Sequence, residues 1–459
     1  MKRLFRDFRI VNEGRCFKGS VLTDGDSIAE VLDADGMSGY DGAVEALMKT
    51  CGEVLDGGAA DEGSGMLLMP GVIDDQVHFR EPGATAKGSI ATESRAAVLG
   101  GTTSFMDMPN NNPPVCSIEA LEEKYRIAAE DSAANYSFYL GANNSNFQEI
   151  EKTDPSAVCG IKVFMGSSTG NMLVDSEEAL GRIFSCRDML IATHCEDETT
   201  VRRNMELAKE RWGDNVPFSS HPLIRSREAC ILSTAKALKS AVANNTRLHI
   251  LHVSTKDEIE MILKARELNP KITFEVCVHY MWFDSNDYDK YGPFVKCNPA
   301  IKTPEDRQAI ADAVKNGLVN AVATDHAPHL ISEKQQDYLH APSGLPTVQH
   351  SLLMMLELSE RGCFPLHAVT ESMSHATAKT FGIRDRGYIR KGYAADLVTV
   401  SRTPFTVSAE NIAYKCGWSP LEGHTFPYSV SDTFVNGTKV VAGGKLTGMT
   451  DSRRLTFNR

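Results

Sequence analysis

Three observations predict an α/β fold in which a (β/α)8 TIM-like barrel carries a small composite β-sandwich domain built from both chain ends. Eight apolar, strand-like runs alternate with helical patterns between residues 72 and 324, the order that builds a parallel sheet closed on itself. Short alternating runs broken by Gly and Asp occupy the two flanks, residues 1–69 and 385–459. A chain of 459 residues with 42% hydrophobic content can bury one large core and a smaller satellite.

The first flank holds runs such as Phe8-Arg9-Ile10-Val11 and Ser27-Ile28-Ala29-Glu30-Val31, the alternation of small antiparallel strands. The barrel is assigned to residues 70–384, with strands over 72–78, 102–107, 136–140, 159–164, 189–194, 247–252, 272–278 and 319–324. The first intervening helix, about Ser89 to Leu99, ends at Gly100-Gly101, the residue type that accepts the left-handed conformation past a helix C-terminus. From residue 385 the β-rich pattern returns, in Gly392-Tyr393-Ala394-Ala395-Asp396-Leu397-Val398 and Thr433-Phe434-Val435-Asn436-Gly437-Thr438. Two β-rich flanks around one barrel are expected to pack together as a single domain.

Charge and cysteine usage exclude several partner classes. The net charge of −12 comes without a basic block, so the electrostatic attraction that duplex nucleic acid or an anionic membrane exploits is missing. Eleven scattered cysteines with no Cys-x-x-Cys pair argue against a disulfide framework and a thiolate zinc site, and fit a reducing cytoplasm. The segment Met1-Lys2-Arg3-Leu4-Phe5-Arg6-Asp7 has no apolar h-region, and no stretch approaches the roughly 18 apolar residues of a membrane span, so a soluble, unexported chain is expected.

Barrel enzymes place their chemistry at the C-terminal ends of the strands. The segment Asp74-Asp75-Gln76-Val77-His78-Phe79-Arg80-Glu81-Pro82-Gly83 closes strand one; alternation puts Asp74, Gln76 and His78 on one face, with Arg80 just beyond. Lys162 lies inside strand four. Strand five ends in Thr193-His194-Cys195-Glu196-Asp197, strand six in Leu251-His252-Val253-Ser254-Thr255 and strand eight in Asp325-His326-Ala327-Pro328-His329. Neutral imidazole and carboxylate are ligands for zinc or a similar divalent ion, and three or more converging on an open position make a catalytic site. Such an ion lowers the pKa of a bound water to about 7.

Each residue alone has a duller reading. A lone strand-end His is more often a hydrogen-bonded core or rim residue, the reading taken for His249, His279 and His375. Lys162 could snorkel out of the barrel end, and Asp325 could cap a turn. Four different strand ends carrying ligand-type side chains is the coincidence that favours a site.

These residues, with Pro70-Gly71-Val72-Ile73-Asp74, Met108-Pro109-Asn110 and Asn298-Pro299, give a chain that resembles the long, type I dihydroorotases within the cyclic amidohydrolases, from about Leu67 to Val398. The resemblance implies that His194 and His252 hold one zinc, that His78 and Asp325 hold a second, and that a carboxylate bridges both. In some relatives the bridge is an aspartate and in others a carbamylated lysine; with Lys162 at the position, the N6-carboxylated lysine is expected. It further implies Asp325 as the proton-transferring catalytic residue, Arg80, Asn110, Asn298 and His329 as substrate-binding residues, and reversible hydrolysis of L-dihydroorotate to N-carbamoyl-L-aspartate in de novo pyrimidine (UMP) biosynthesis. A homodimer and association with aspartate transcarbamoylase are the partners it implies.

Arg80 is the planar, bidentate donor suited to the dihydroorotate carboxylate. Allantoinases and the dihydropyrimidinases or hydantoinases are the other enzyme readings. Gln76 departs from the family's His-x-His pair and offers a metal only a neutral carbonyl oxygen, so the second ion is expected to be held weakly, leaving one or two ions. Asp74 either compensates or is a buried hydrogen-bond partner. A degenerate, non-catalytic scaffold subunit is the non-enzyme reading. The polar segment from His329 to Ser343, which follows strand eight, is expected either as a lid over the barrel mouth or as a plain connector.

Overall fold

The structure is a computed structural model that describes residues 1–60, 63–166 and 172–459. Its centre is a parallel barrel whose spatial order equals the chain order: β1 (Val72–Val77), β2 (Thr102–Asp107), β3 (Asn135–Gly141), β4 (Gly160–Phe164), β5 (Leu190–His194), β6 (Arg247–Ile250), β7 (Thr273–Cys277) and β8 (Ala321–Ala323). β8 meets β1 just past its own end, where Val77 bridges His326 and the His78 N–H donates to His326 O at 2.7 Å.

Helices cover the outside, and their starts follow from side-chain capping. Ser117, Ser176, Asp197, Ser226, Thr255 and Thr303 each precede a helix and accept the N–H three residues on, which satisfies a backbone donor that the helix cannot. The first helix, Ile90–Leu99, is capped reciprocally by Ser89 and Thr92 and stops at Gly100.

β6 and β8 are shorter than the apolar runs predict. His252 and Asp325 adopt φ of 40° and 47°, outside the extended region, so pairing ends before them.

Both flanks build one nine-stranded sheet. Its order is Lys445–Leu446, Thr438–Ala442, Ser429–Val435, Leu397–Ser401, Leu67–Pro70, Lys2–Asn12, Arg15–Asp24 and Ser27–Asp33, with Glu53–Asp56 also on Lys2–Asn12. The first flank is not purely antiparallel, as its alternation predicts. Lys2–Asn12 pairs in parallel with Glu53–Asp56 and Leu67–Pro70, because the helix Tyr40–Met48 carries the chain back across, burying Tyr40 and Val44 against Leu4, Leu22 and Leu32. Leu67–Pro70 runs through Gly71 straight into β1. A Cβ at Gly71 would lie 2.1 Å from Thr103 Oγ1, so only glycine fits this junction between the two sheets.

The barrel floor is filled from far along the chain. Leu455 and Phe457 are buried against Ile73, Tyr139, Leu190 and Phe381. Among the described residues no helix is long and apolar enough to cross a membrane.

Candidate active site

All nine residues assigned to the site from sequence line one cavity of about 280 Å³ at the mouth of the barrel: His78, Arg80, Asn110, Lys162, His194, His252, Asn298, Asp325 and His329. Gln76 joins them, and Pro342, Ser343 and Gly344 close one side. A larger groove of about 700 Å³ beside Phe405 and Val430 lies outside the barrel and gathers none of these side chains. Arg80, His252 and Asp325 all have positive φ, at 70°, 40° and 47°. For non-glycine residues that conformation costs on the order of 1–3 kcal/mol each, strain the surrounding packing has to hold.

His78 sits between two acceptors. Its Nδ1 is 2.8 Å from Asn110 Oδ1 and its Nε2 is 3.1 Å from Asp325 Oδ1. With the proton on Nδ1 for Asn110, the Nε2 lone pair faces a carboxylate oxygen, an arrangement that calls for a proton or a cation between them. Gln76 Nε2 donates to the same Asp325 oxygen at 3.0 Å, and its buried Oε1 has no partner. Burial would raise the Asp325 carboxyl, but the His78 hydrogen bond and the nearby imidazoles hold it down to about 2.

His194 and His252 form the second group. Glu196 Oε2, fixed by Arg225 Nη1 at 2.5 Å, takes the His194 Nε2 proton at 2.9 Å. His194 Nδ1 is thereby left with its lone pair, 2.9 Å from His252 Nε2. Burial pushes the His252 imidazole well below its ordinary range and lowers His194 despite the pull of Glu196. Glu196 is held at about 2, where Arg225 and His194 outweigh its burial. Neutral imidazoles with lone pairs turned inward, an orphaned His252 Nδ1 and the carboxylate of Asp325 form a donor set that fits a divalent ion. Lys162 is buried between these groups, its ammonium pulled down to about 8 by desolvation against the opposing charges of Glu275 and Asp325.

Asp74 does not line the cavity. A register irregularity between Asp74 and Val77 breaks the alternation of β1. Asp74 accepts from Thr324 Oγ1 at 2.5 Å, Thr324 N at 3.2 Å and Gln76 N at 3.2 Å, the bonds of a buried partner that ties β1 to the end of β8. The same break turns Asp75 into the barrel interior, with Oδ2 3.2 Å from His249 Nε2; Glu275 Oε2 stands 3.4 Å from that nitrogen. Asp75, His249 and Glu275 could hold a metal ion, one ligand atom from each lying within 4.8 Å of the others. Burial beside Asp75 raises Glu275 well above the carboxylate range, so a proton can also neutralise the group.

The segment after β8 is pinned. It contains the helix Ile331–Lys334, and the buried Lys334 Nζ donates to Pro342 O at 2.9 Å and Gly344 O at 3.0 Å. Lys296 Nζ donates to Tyr338 O at 2.7 Å and Ala341 O at 2.6 Å.

Three contributors were not assigned roles from sequence. Glu196 stands two residues past His194, a spacing that could have marked it; Arg225 and Lys87 reach the site only through tertiary contacts.

The amidohydrolase family pattern matches residues 67–440. The chain is 31% identical to an allantoinase of Bacillus velezensis over 391 residues, 83% of this chain and 85% of that one. It is 32% identical to a dihydroorotase of Methanosarcina acetivorans over 378 residues, 79% of each chain. Among solved structures it is similar to an L-hydantoinase (dihydropyrimidinase) from Arthrobacter aurescens, with a TM-score of 0.89 at 24% identity over 99% of each chain, a likeness of fold.

Proposed function

This chain belongs to the amidohydrolase family and is a hydrolase acting on cyclic amides, and from that premise we propose that it is a zinc-dependent dihydroorotase, opening L-dihydroorotate reversibly to N-carbamoyl-L-aspartate in pyrimidine biosynthesis. The observation that carries the reading is Arg80. Its guanidinium reaches the cavity with described bonds only to Pro328 O at 3.1 Å and to His329, and no ion-pair partner among the described residues. An arginine kept without a carboxylate partner in a cavity open to ligands is a site for a ligand carboxylate. Asn110, Asn298 and His329 line the same cavity and would complete the ligand's shell, the buried Asn298 Oδ1 having no partner of its own.

His194 and His252 would hold one zinc, His78 and Asp325 a second, and Lys162, carboxylated on its amine, would bridge them. Near neutral pH part of Lys162 is the free amine, which attacks carbon dioxide; the N–C bond forms and a proton leaves the nitrogen, turning a cation into a two-oxygen anion. Bound metal would polarise the ring carbonyl and acidify the attacking water. Asp325, ionised through the neutral range, accepts that water's proton and returns it to the departing ring nitrogen. Gln76 donates to Asp325 and keeps the carboxylate turned toward His78.

All eleven cysteines are free, which supports a cytoplasmic setting. A homodimer, and association with aspartate transcarbamoylase, are part of the same reading.

The test is hydrolysis of L-dihydroorotate by the zinc-loaded protein, beside allantoin and dihydrouracil at matched concentration. Turnover confined to dihydroorotate is expected. Turnover of allantoin instead would give the chain the activity named for its Bacillus velezensis relative, and no turnover despite bound zinc would favour a scaffold subunit.

A further inference from the structure

His329 is caught between two donors. Arg80 Nη2 lies 3.1 Å from its Nε2 and Lys87 Nζ lies 3.1 Å from its Nδ1. A guanidinium and an ammonium only donate, whereas a neutral imidazole has one lone pair, so the ring can accept from one of them. Ser343 O, 3.1 Å from Nε2, breaks the tie because it only accepts. With the proton on Nε2, the ring donates to Ser343 O and accepts from Lys87, and only the Arg80 N–H is left without an acceptor on the ring. With the proton on Nδ1, an N–H confronts the ammonium and Ser343 O loses its donor. Protonating both nitrogens is opposed by burial and by the charges of Arg80 and Lys87, which hold the imidazole far below its ordinary range. Lys87 is itself held in place by Glu333 Oε1 at 2.8 Å, and Glu333 is anchored by the Leu330 N–H at 3.0 Å.

We propose that Lys87 is a positioning residue for the substrate site: by occupying His329 Nδ1 it keeps the proton on Nε2, where the ring donates to Ser343 O and cannot accept from Arg80, so that Arg80 Nη2–H stays free as a donor for a ligand carboxylate. This rests on the reading of the substrate as a cyclic amide bearing a carboxylate. Without Lys87 each tautomer keeps one bond at Nε2, to Ser343 O or from Arg80, and Glu333 Oε2, 3.7 Å from Nδ1, draws the proton to Nδ1, so the ring accepts from Arg80. The Arg80 donor is then tied up on the ring, while the groups around His78 and His194 are untouched.

The experiment uses Lys87→Met and Lys87→Arg in the full-length zinc-loaded protein, with two readouts. In selectively 15N-histidine-labelled enzyme without substrate, His329, identified by comparison with His329→Gln, is expected as the Nε2–H tautomer in wild type and Lys87→Arg and as Nδ1–H in Lys87→Met. With L-dihydroorotate, Lys87→Met is expected to raise KM about tenfold or more with kcat within about threefold, and Lys87→Arg to recover most of that, as loss of a charge-assisted bond predicts. An unchanged tautomer in Lys87→Met overturns the proposal whatever the substrate. A switched tautomer with unchanged KM overturns the role in carboxylate binding. If dihydroorotate is not turned over at all, the tautomer switch still decides the role of Lys87 on His329, and the substrate reading alone falls.

Discussion

Asp325 Oδ1 faces His78 Nε2 and accepts from Gln76 Nε2, so two neighbours compete for one oxygen. Gln76→His should remove a competing donor and add an imidazole, tightening the weaker metal; zinc retained after dialysis against a chelator reports this, and unchanged retention would remove the weak-ligand account of position 76. Asp325→Asn should lower kcat by about 10²–10⁴, the usual weight of a positioned proton carrier. Arg80→Ala should raise KM for dihydroorotate about 100-fold with zinc content intact, and equal loss of both would refute its carboxylate role. At this scale much of the site was legible, because a barrel puts strand ends in one place: once the strands are counted, His78, Lys162, His194, His252 and Asp325 converge by topology. What was not legible depends on contacts the chain makes only when folded. Lys87 meets His329 across 242 positions, and Asp75 turns inward because of a bulge that strict alternation cannot foresee.

Elements show where the fold is held and where it is loaded. Lys334 is fully buried, its pKa drawn down to about 7 by desolvation and by Lys296, and its Nζ bonds end on backbone carbonyls of the segment that walls the cavity. Lys334→Met keeps the length of the side chain and strands those carbonyls, so a loss of about 2–4 kcal/mol in unfolding free energy is expected, with faster protease cleavage between residues 331 and 345. A variant as protease-resistant as wild type would mean the segment is held by other contacts. The turn just past β5 contributes to the acid sensitivity through Glu196. Glu196 has an ordinary carboxyl value of 4.5 and is held at about 2 in the fold, so its contribution is complete above pH 4.5 and is lost as pH falls toward 2. Glu196→Gln should therefore flatten the fall of Tm across that window, measured by scanning calorimetry; an unchanged acid limb would show that other carboxylates dominate. The period of the strands and the helix start at Ser89 could be read from sequence because they follow local rules. The helix Tyr40–Met48 and the parallel pairing it enforces could not, since the surface it packs on exists only once the three strands that carry Leu4, Leu22 and Leu32 lie side by side.

The barrel and the nine-stranded sheet share one continuous stretch of backbone, Leu67 to Val77, which passes from one to the other at Gly71. Leu397–Ser401 pairs with Leu67–Pro70, and Phe457 seals the barrel floor against Phe381 and Tyr139, so residues from the far end of the chain complete both units. Phe457→Ala should cost about 3–5 kcal/mol, the price of an empty aromatic site in a packed interior, read from chemical denaturation. Because Phe457 follows all eight barrel strands in the chain, a nascent chain holds those strands with an open floor, their apolar undersides exposed, until Phe457 has been made. A ribosome stalled before residue 457 has emerged should therefore present a chain that chaperones hold and proteases cut, and stalling after residue 457 has emerged should present a resistant form.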